Sequence, residues 1–148
     1  MVPAALSDVD GLALLDAADD MAEGLQPVEG DDDPDPGIGL GAVIGAAAKA
    51  GRDKLTILID PVVASFGLWL EQLVAESLGK HGVGAVPIVD ERFYIALAHP
   101  DDRLFVLVGD AIGAPEVRAS GQPCIELSLE DPSDLGARVQ LWGVAVAL

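Results

Sequence analysis

KLTILIDP, residues 54–61, is the stretch on which the fold turns. A short run that is almost wholly apolar and rich in β-branched side chains suits a strand buried on both faces, as in the middle of a parallel sheet. Asp60 and Pro61 then supply a helix start, the carboxylate as cap and the proline in a first turn where its missing N–H costs nothing. A strand followed at once by a helix is half of a βαβ unit. The helix is expected to run to Ser77 or Leu78, to bury Val63, Phe66, Leu70, Leu73 and Val74 as one stripe, and to stop at Gly79 in a left-handed conformation.

Working outward, residues 103–108 (RLFVLV) repeat the buried-strand pattern, residues 124–129 (CIELSL) give a third strand, and residues 85–89 an edge strand. Helical spacing covers residues 9–25, with Leu12, Leu14, Leu15, Ala18 and Met21 on one face and Asp8 or Asp10 as cap. Residues 38–51 read as an Ala/Gly-rich helix whose small side chains permit close approach, ended by Gly51. Shorter helices are expected at 114–120 and 133–148. The alternation predicts an α/β fold, a three-layer sandwich around a mostly parallel sheet. One domain is expected over residues 1–148, interrupted by an acidic exposed linker at 26–36. There Asp31, Asp32, Asp33 and Asp35 stand between prolines. Successive aspartates lack the spaced ligand order of a calcium loop, so a solvated segment is expected and no metal site.

With 25 acidic and 8 basic residues among 148, the formal net charge is -17. That field repels phosphate backbones and anionic membrane surfaces, which argues against nucleic acid and membranes as partners. Neither a signal peptide nor an apolar run of about 18 residues is visible, so a soluble, cytoplasmic protein is expected. Cys124, the single cysteine, allows no intrachain disulfide and reads as a buried structural thiol. The apolar ends, VPAAL at 2–6 and VAVAL at 144–148, look cut from a longer sequence.

Three stretches in order carry a resemblance: AGRDKLTILIDP at 50–61, WLEQLVAESLGK at 69–80 and DRLFVLV at 102–108. They resemble the second sugar-isomerase domain of the glucose-6-phosphate isomerase family, in the form fused to transaldolase in bacteria. Weaker similarity at 2–6 and 135–147 extends it over nearly the whole chain. The resemblance implies a sugar-isomerase-domain fold and a role in glycolysis and gluconeogenesis. Its substrates would be glucose 6-phosphate and fructose 6-phosphate, interconverted without metal or organic cofactor.

Aldose–ketose isomerisation moves a proton between adjacent carbons through an enediolate, which needs a carboxylate or imidazole within reach of both. On residue chemistry alone, a glutamate near a helix end is usually just solvated. The resemblance to the family's ESxGK motif makes Glu76 the expected proton-transferring base. Gln72, one helical turn earlier on the same face, Gly79, which allows close approach, and Lys80, which offsets anionic charge, become expected substrate-binding residues. Arg52 and Lys54 are expected at the start of the strand and in ion pairs, while His81 and His99 read as polar loop residues.

A helix following a parallel strand runs back toward the strand's N-terminal edge, so Glu76 should lie away from the usual ligand crevice. Its site must then form against a companion sugar-isomerase domain or a second subunit. The family's Ser/Thr-rich SxSGxT loop does not occur here, and its GGRxS arginine and C-terminal lysine would fall outside the chain. Trp142-Gly143 stands where the family tends to have a WE pair. The expected reading is part of a larger enzyme, inactive or nearly so alone. The alternatives are a non-catalytic phosphosugar-binding or interaction module, and a truncated gene product.

Overall fold

Every side chain of Arg103–Val108 is buried, and four of the six residues of Lys54–Ile59 are buried too. These are the two central strands. A computed structural model describes residues 10–25, 35–79, 82 and 84–147. In chain order its elements are α1 (Gly11–Gly24), α2 (Pro36–Lys49), β1 (Lys54–Ile59), a 3-10 turn (Pro61–Val63), α3 (Ser65–Leu78), β2 (Val86–Val89), α4 (Phe93–Ala98), β3 (Arg103–Val108), α5 (Ala114–Ser120), β4 (Cys124–Leu127), a second 3-10 turn (Pro132–Asp134) and α6 (Leu135–Ala145).

All strand pairs are parallel, in the order β2-β1-β3-β4. Lys54 lies opposite Arg103 and Ile59 opposite Val108, while Lys54 also meets Val86 and Phe105 meets Cys124. The chain therefore steps one way from β1 to β2, crosses back to β3, and steps the other way to β4. Right-handed crossovers then require α3 on one face of the sheet and α4 and α5 on the other.

Side-chain packing follows that rule. Gly67 of α3 lies against Ile59 and Val89 on one face. On the other, Leu58, Phe105 and Leu107 pack with Ala96 of α4 and with Ala114 and Val117 of α5. The fold is thus α/β with three layers, as the alternation of patterns predicts. Phe66, Leu70 and Val74 form the buried stripe of α3, with Leu73 only half-buried. Each fully buried leucine or isoleucine here contributes about 1.5–3 kcal/mol from the area it removes from water.

The chain divides into two compact units. Ala42–Leu129 contains the whole sheet and α3 to α5. The other combines Met1–Gly41 with Glu130–Leu148, and in it the backbone of Gly136 in α6 lies against the Leu14 carbonyl of α1. Asp10 caps α1 through bonds from the N–H groups of Leu12 (3.0 Å) and Ala13 (3.1 Å). Trp142 of α6 is fully buried, and its indole N–H has no partner among the described residues.

Several elements differ from expectation. The stretch between β2 and β3 holds α4, whose six residues are too few to show a helical period against the surrounding apolar background. Gly79 is not left-handed (φ -98°, ψ 66°), and the left-handed glycine in the connection after α3 is Gly82 (φ 75°). Leu78 and Gly84 explain the arrangement: the backbone of Gly84 comes up against the Leu78 carbonyl, a route that turns at Gly82. Cys124 is partly buried. Residues 26–34 of the acidic segment lie outside the described residues; Asp35 caps α2, accepting from Gly37 N at 2.7 Å and Ile38 N at 3.0 Å. Among the described residues, no helix is long and apolar enough to cross a membrane.

Candidate functional site

Two regions gather chemistry, and they sit at opposite ends of the βαβ unit. α3 leaves the C-terminal end of β1 and runs back along the sheet, so its last turn lies near Gly84, just ahead of β2. Leu68, Gln72 and Glu76 are spaced four apart and form one stripe along its outer surface. Gln72 donates from Nε2 to Glu76 Oε1 at 3.2 Å, and both side chains are exposed. Leu68 is 63% exposed, and Trp69, 37% exposed, stacks on Phe66 with centroids 5.2 Å apart. Gly79 is exposed at the helix end; Lys80 and His81 lie outside the described residues.

Of the expected site residues, the structure brings Gln72 and Glu76 together and sets Gly79 at the end of the same helix. His99 follows α4 and is exposed; its carbonyl accepts from Arg103 Nε at 2.9 Å. Arg52 holds carbonyls and, among the described residues, no carboxylate, donating from Nη1 to Pro100 O (2.9 Å) and Arg103 O (3.0 Å). Lys54 does form ion pairs, with Asp102 at 2.6 Å and Asp53 at 3.4 Å. The hydrogen bond to Asp102 leads in raising the Lys54 ammonium above its usual range, and the same bond lowers the Asp102 carboxyl.

The second region is a crevice of about 460 Å³ at the C-terminal edge of the sheet. Ile57, Leu58 and Ile59 of β1, Val89 at the end of β2, the segment 90–94 and Ile112 after β3 line it, with Ala64 ahead of α3. Neither Gln72, Glu76 nor Gly79 does. Beside it, Asp60 closes the turn after β1, accepting from Val62 N (2.8 Å) and Asp110 N (3.3 Å).

One wall of the crevice is held by charge. Arg103, buried at the start of β3, donates from Nη1 to Glu91 Oε2 at 2.5 Å and to Thr56 Oγ1 at 2.7 Å, and from Nη2 to Glu91 Oε1 at 3.2 Å. Glu91 is thereby fixed between Asp90 and Arg92. Asp90 is the one described non-glycine residue with positive φ, 60°. Arg92 donates from Nη1 to Tyr94 Oη at 2.7 Å, with its guanidinium carbon 6.0 Å from the Tyr94 ring centre.

Sequence reasoning passed over Asp90, Arg92 and Tyr94. The signal available was a charged DER triplet directly after an apolar strand, but its value depends on β1 lying between β2 and β3. Among the described residues, no three His, Cys, Asp or Glu side chains are grouped to hold a metal ion. Compared with known proteins, the chain matches no family model and no curated protein sequence.

Proposed function

We propose that this chain is a sugar-isomerase-type domain of a glucose-6-phosphate isomerase, contributing Glu76 as the base that interconverts glucose 6-phosphate and fructose 6-phosphate. The observation that carries the reading is the outer stripe of α3. The stretch resembling the family's ESxGK helix end presents an exposed carboxylate one turn from an amide that holds it at 3.2 Å. A base that must reach a substrate supplied by another domain has to stand on an open surface. The neighbouring Leu68 and Trp69 give that surface an apolar area for a companion domain or subunit to cover.

In the proposed reaction the Glu76 carboxylate removes the proton from C2 of the open-chain aldose, the C2–H electron pair forms the C1–C2 double bond of the enediolate, and the carbonyl oxygen at C1 gains a proton. Returning the carried proton to C1, while the C2 hydroxyl releases its own proton and so makes good the one taken up at the C1 oxygen, gives the ketose. Gln72 orients the carboxylate. The resemblance implies no metal or organic cofactor and a place in glycolysis and gluconeogenesis, with or without an attached transaldolase; the cytoplasmic location rests on the sequence pattern alone.

The test is solvent-deuterium exchange at C1 and C2 of the sugar phosphate, followed by NMR in the chain combined with its companion sugar-isomerase domain. Glu76→Gln should lower exchange by about 100- to 10,000-fold while leaving sugar-phosphate binding within a few fold. Exchange that survives the substitution removes Glu76 from its role. Saturable binding with no exchange in the unsubstituted assembly would favour the non-catalytic phosphosugar-binding module instead.

A further inference from the structure

In an open parallel sheet, small ligands settle outside the strand C-termini where the crossovers diverge. Here that point lies between β1, whose chain steps to β2, and β3, whose chain steps to β4, and the 460 Å³ crevice adjoins it. Its size is that of a small-molecule site, about 300–1,000 Å³. Ile57, Ile59, Val89 and Phe93 wall it with hydrocarbon, and Ile112, 70% exposed, extends that surface at the mouth.

The charges around it are unequally used. Glu91 is neutralised by Arg103, and elsewhere Arg118 holds Glu126 at 2.8 Å. Arg92 has no carboxylate among the described residues: its Nη1 is taken by Tyr94, leaving the Nε–Nη2 edge, the edge that meets a carboxylate with two parallel bonds. Arg52 likewise meets no carboxylate among the described residues, but its Nη1 is held by the Pro100 and Arg103 carbonyls and it does not line this crevice. A phosphate dianion fits poorly. Asp90 lines the same crevice, the turn after β1 (Asp60-Pro61-Val62-Val63) has no glycine, and the Val62 and Asp110 N–H groups are already bound by Asp60.

We propose that this crevice binds a small organic monocarboxylate with an apolar body, its carboxylate on the Nε–Nη2 edge of Arg92 and its body against Ile59, Val89 and Phe93. The site is separate from the Glu76 face and does not depend on the isomerase reading. The Arg103–Glu91 pair fixes the wall that carries Arg92, so little ordering is left for the ligand to impose.

The test is an NMR titration of the full chain with phenylacetate, phenylacetamide and inorganic phosphate. Phenylacetate should give saturable shifts in the Ile59, Val89 and Ile112 methyl groups, phenylacetamide should bind at least about tenfold more weakly, and phosphate should not compete. Arg92→Gln should weaken phenylacetate by about tenfold or more with the folded spectrum intact, and Ile112→Glu, a change at an exposed position, should do the same by repulsion. Glu76→Gln should leave binding unchanged. Absence of saturable shifts, equal binding of the neutral amide, displacement by phosphate, or unchanged binding in the folded Arg92→Gln and Ile112→Glu variants each overturns the proposal.

Discussion

Arg103 and Thr56 are the buried polar side chains of the described core, and they satisfy each other. Arg103 also grips Glu91 with two bonds and the His99 carbonyl with a third. Such a buried pair gains little over an apolar pair of similar shape, but removing one member strands the other. Glu91 is partly exposed, so Arg103→Met should destabilise the chain by about 1–3 kcal/mol in urea unfolding, and adding Glu91→Leu should recover most of it. A loss below about 1 kcal/mol for the single variant would show that Glu91 finds water instead. On sequence, Arg103 reads as the polar first residue of an apolar strand; its partner stands twelve positions earlier in a stretch with no pattern, so the pair was illegible. The Arg118–Glu126 pair tests the opposite, exposed case. Hydrogen bonding to Arg118 leads in lowering the Glu126 carboxyl below its ordinary value of 4.5. Depressed in the folded chain, it stabilises above 4.5, and that contribution fades as pH falls through the folded value. The stability difference between the natural chain and Glu126→Gln should thus be present at neutral pH and vanish in strong acid; a difference independent of pH would sink the assignment.

The elements that were most legible are those for which local pattern and burial agree. β1 and β3 are buried on both faces, so hydrophobicity alone marks their limits, and the strands fall on Lys54–Ile59 and Arg103–Val108 as read. β2 at the edge is half-exposed, and its outline was correspondingly weaker. α3 announced itself through Asp60, Pro61 and its stripe, although the chain makes a 3-10 turn before the α-helix begins. What no pattern gives is how closely α3 rests on the sheet. A methyl group on Gly67 would stand 2.6 Å from Val89 Cγ1 and 3.0 Å from Ile59 Cδ1, so both side chains would have to shift. Gly67→Ala should cost about 1–3 kcal/mol despite its better helix propensity, measured by chemical unfolding. A stabilised variant would mean that α3 can lift off the sheet. Glu76 is singled out by the ESLGK resemblance alone, while its place away from the crevice followed from the direction of α3. Arg92 was not, because a crevice requires the strand order.

Across the whole molecule, charge is the term that composition alone sets. A net charge of -17 on 148 residues repels itself more in the compact state than in the expanded one. Raising sodium chloride from about 0.05 to 0.5 M should screen that repulsion and raise the melting temperature. A flat or falling melting temperature would mean that the few ion pairs outweigh the repulsion. The alternation of strand and helix was enough to foresee a parallel α/β sandwich. It was not enough to foresee that the chain steps left, then right, because nothing in β2 itself says on which side of β1 it will lie.

That order has a consequence in time. Residue 54 pairs with residue 103, so during synthesis the KLTILI segment emerges and then waits for β3 to be made. At ordinary elongation rates the wait is on the order of seconds, far longer than collapse or helix formation. Until β2 is made both edges of this six-residue β-prone segment are open, and until β3 follows one edge still is, the kind of edge that pairs with other copies of the chain. Asp53 before it, Lys54 at its first position and Asp60 after it, which later pair and cap, stand as charged guards at both ends of a strand still lacking its β3 neighbour.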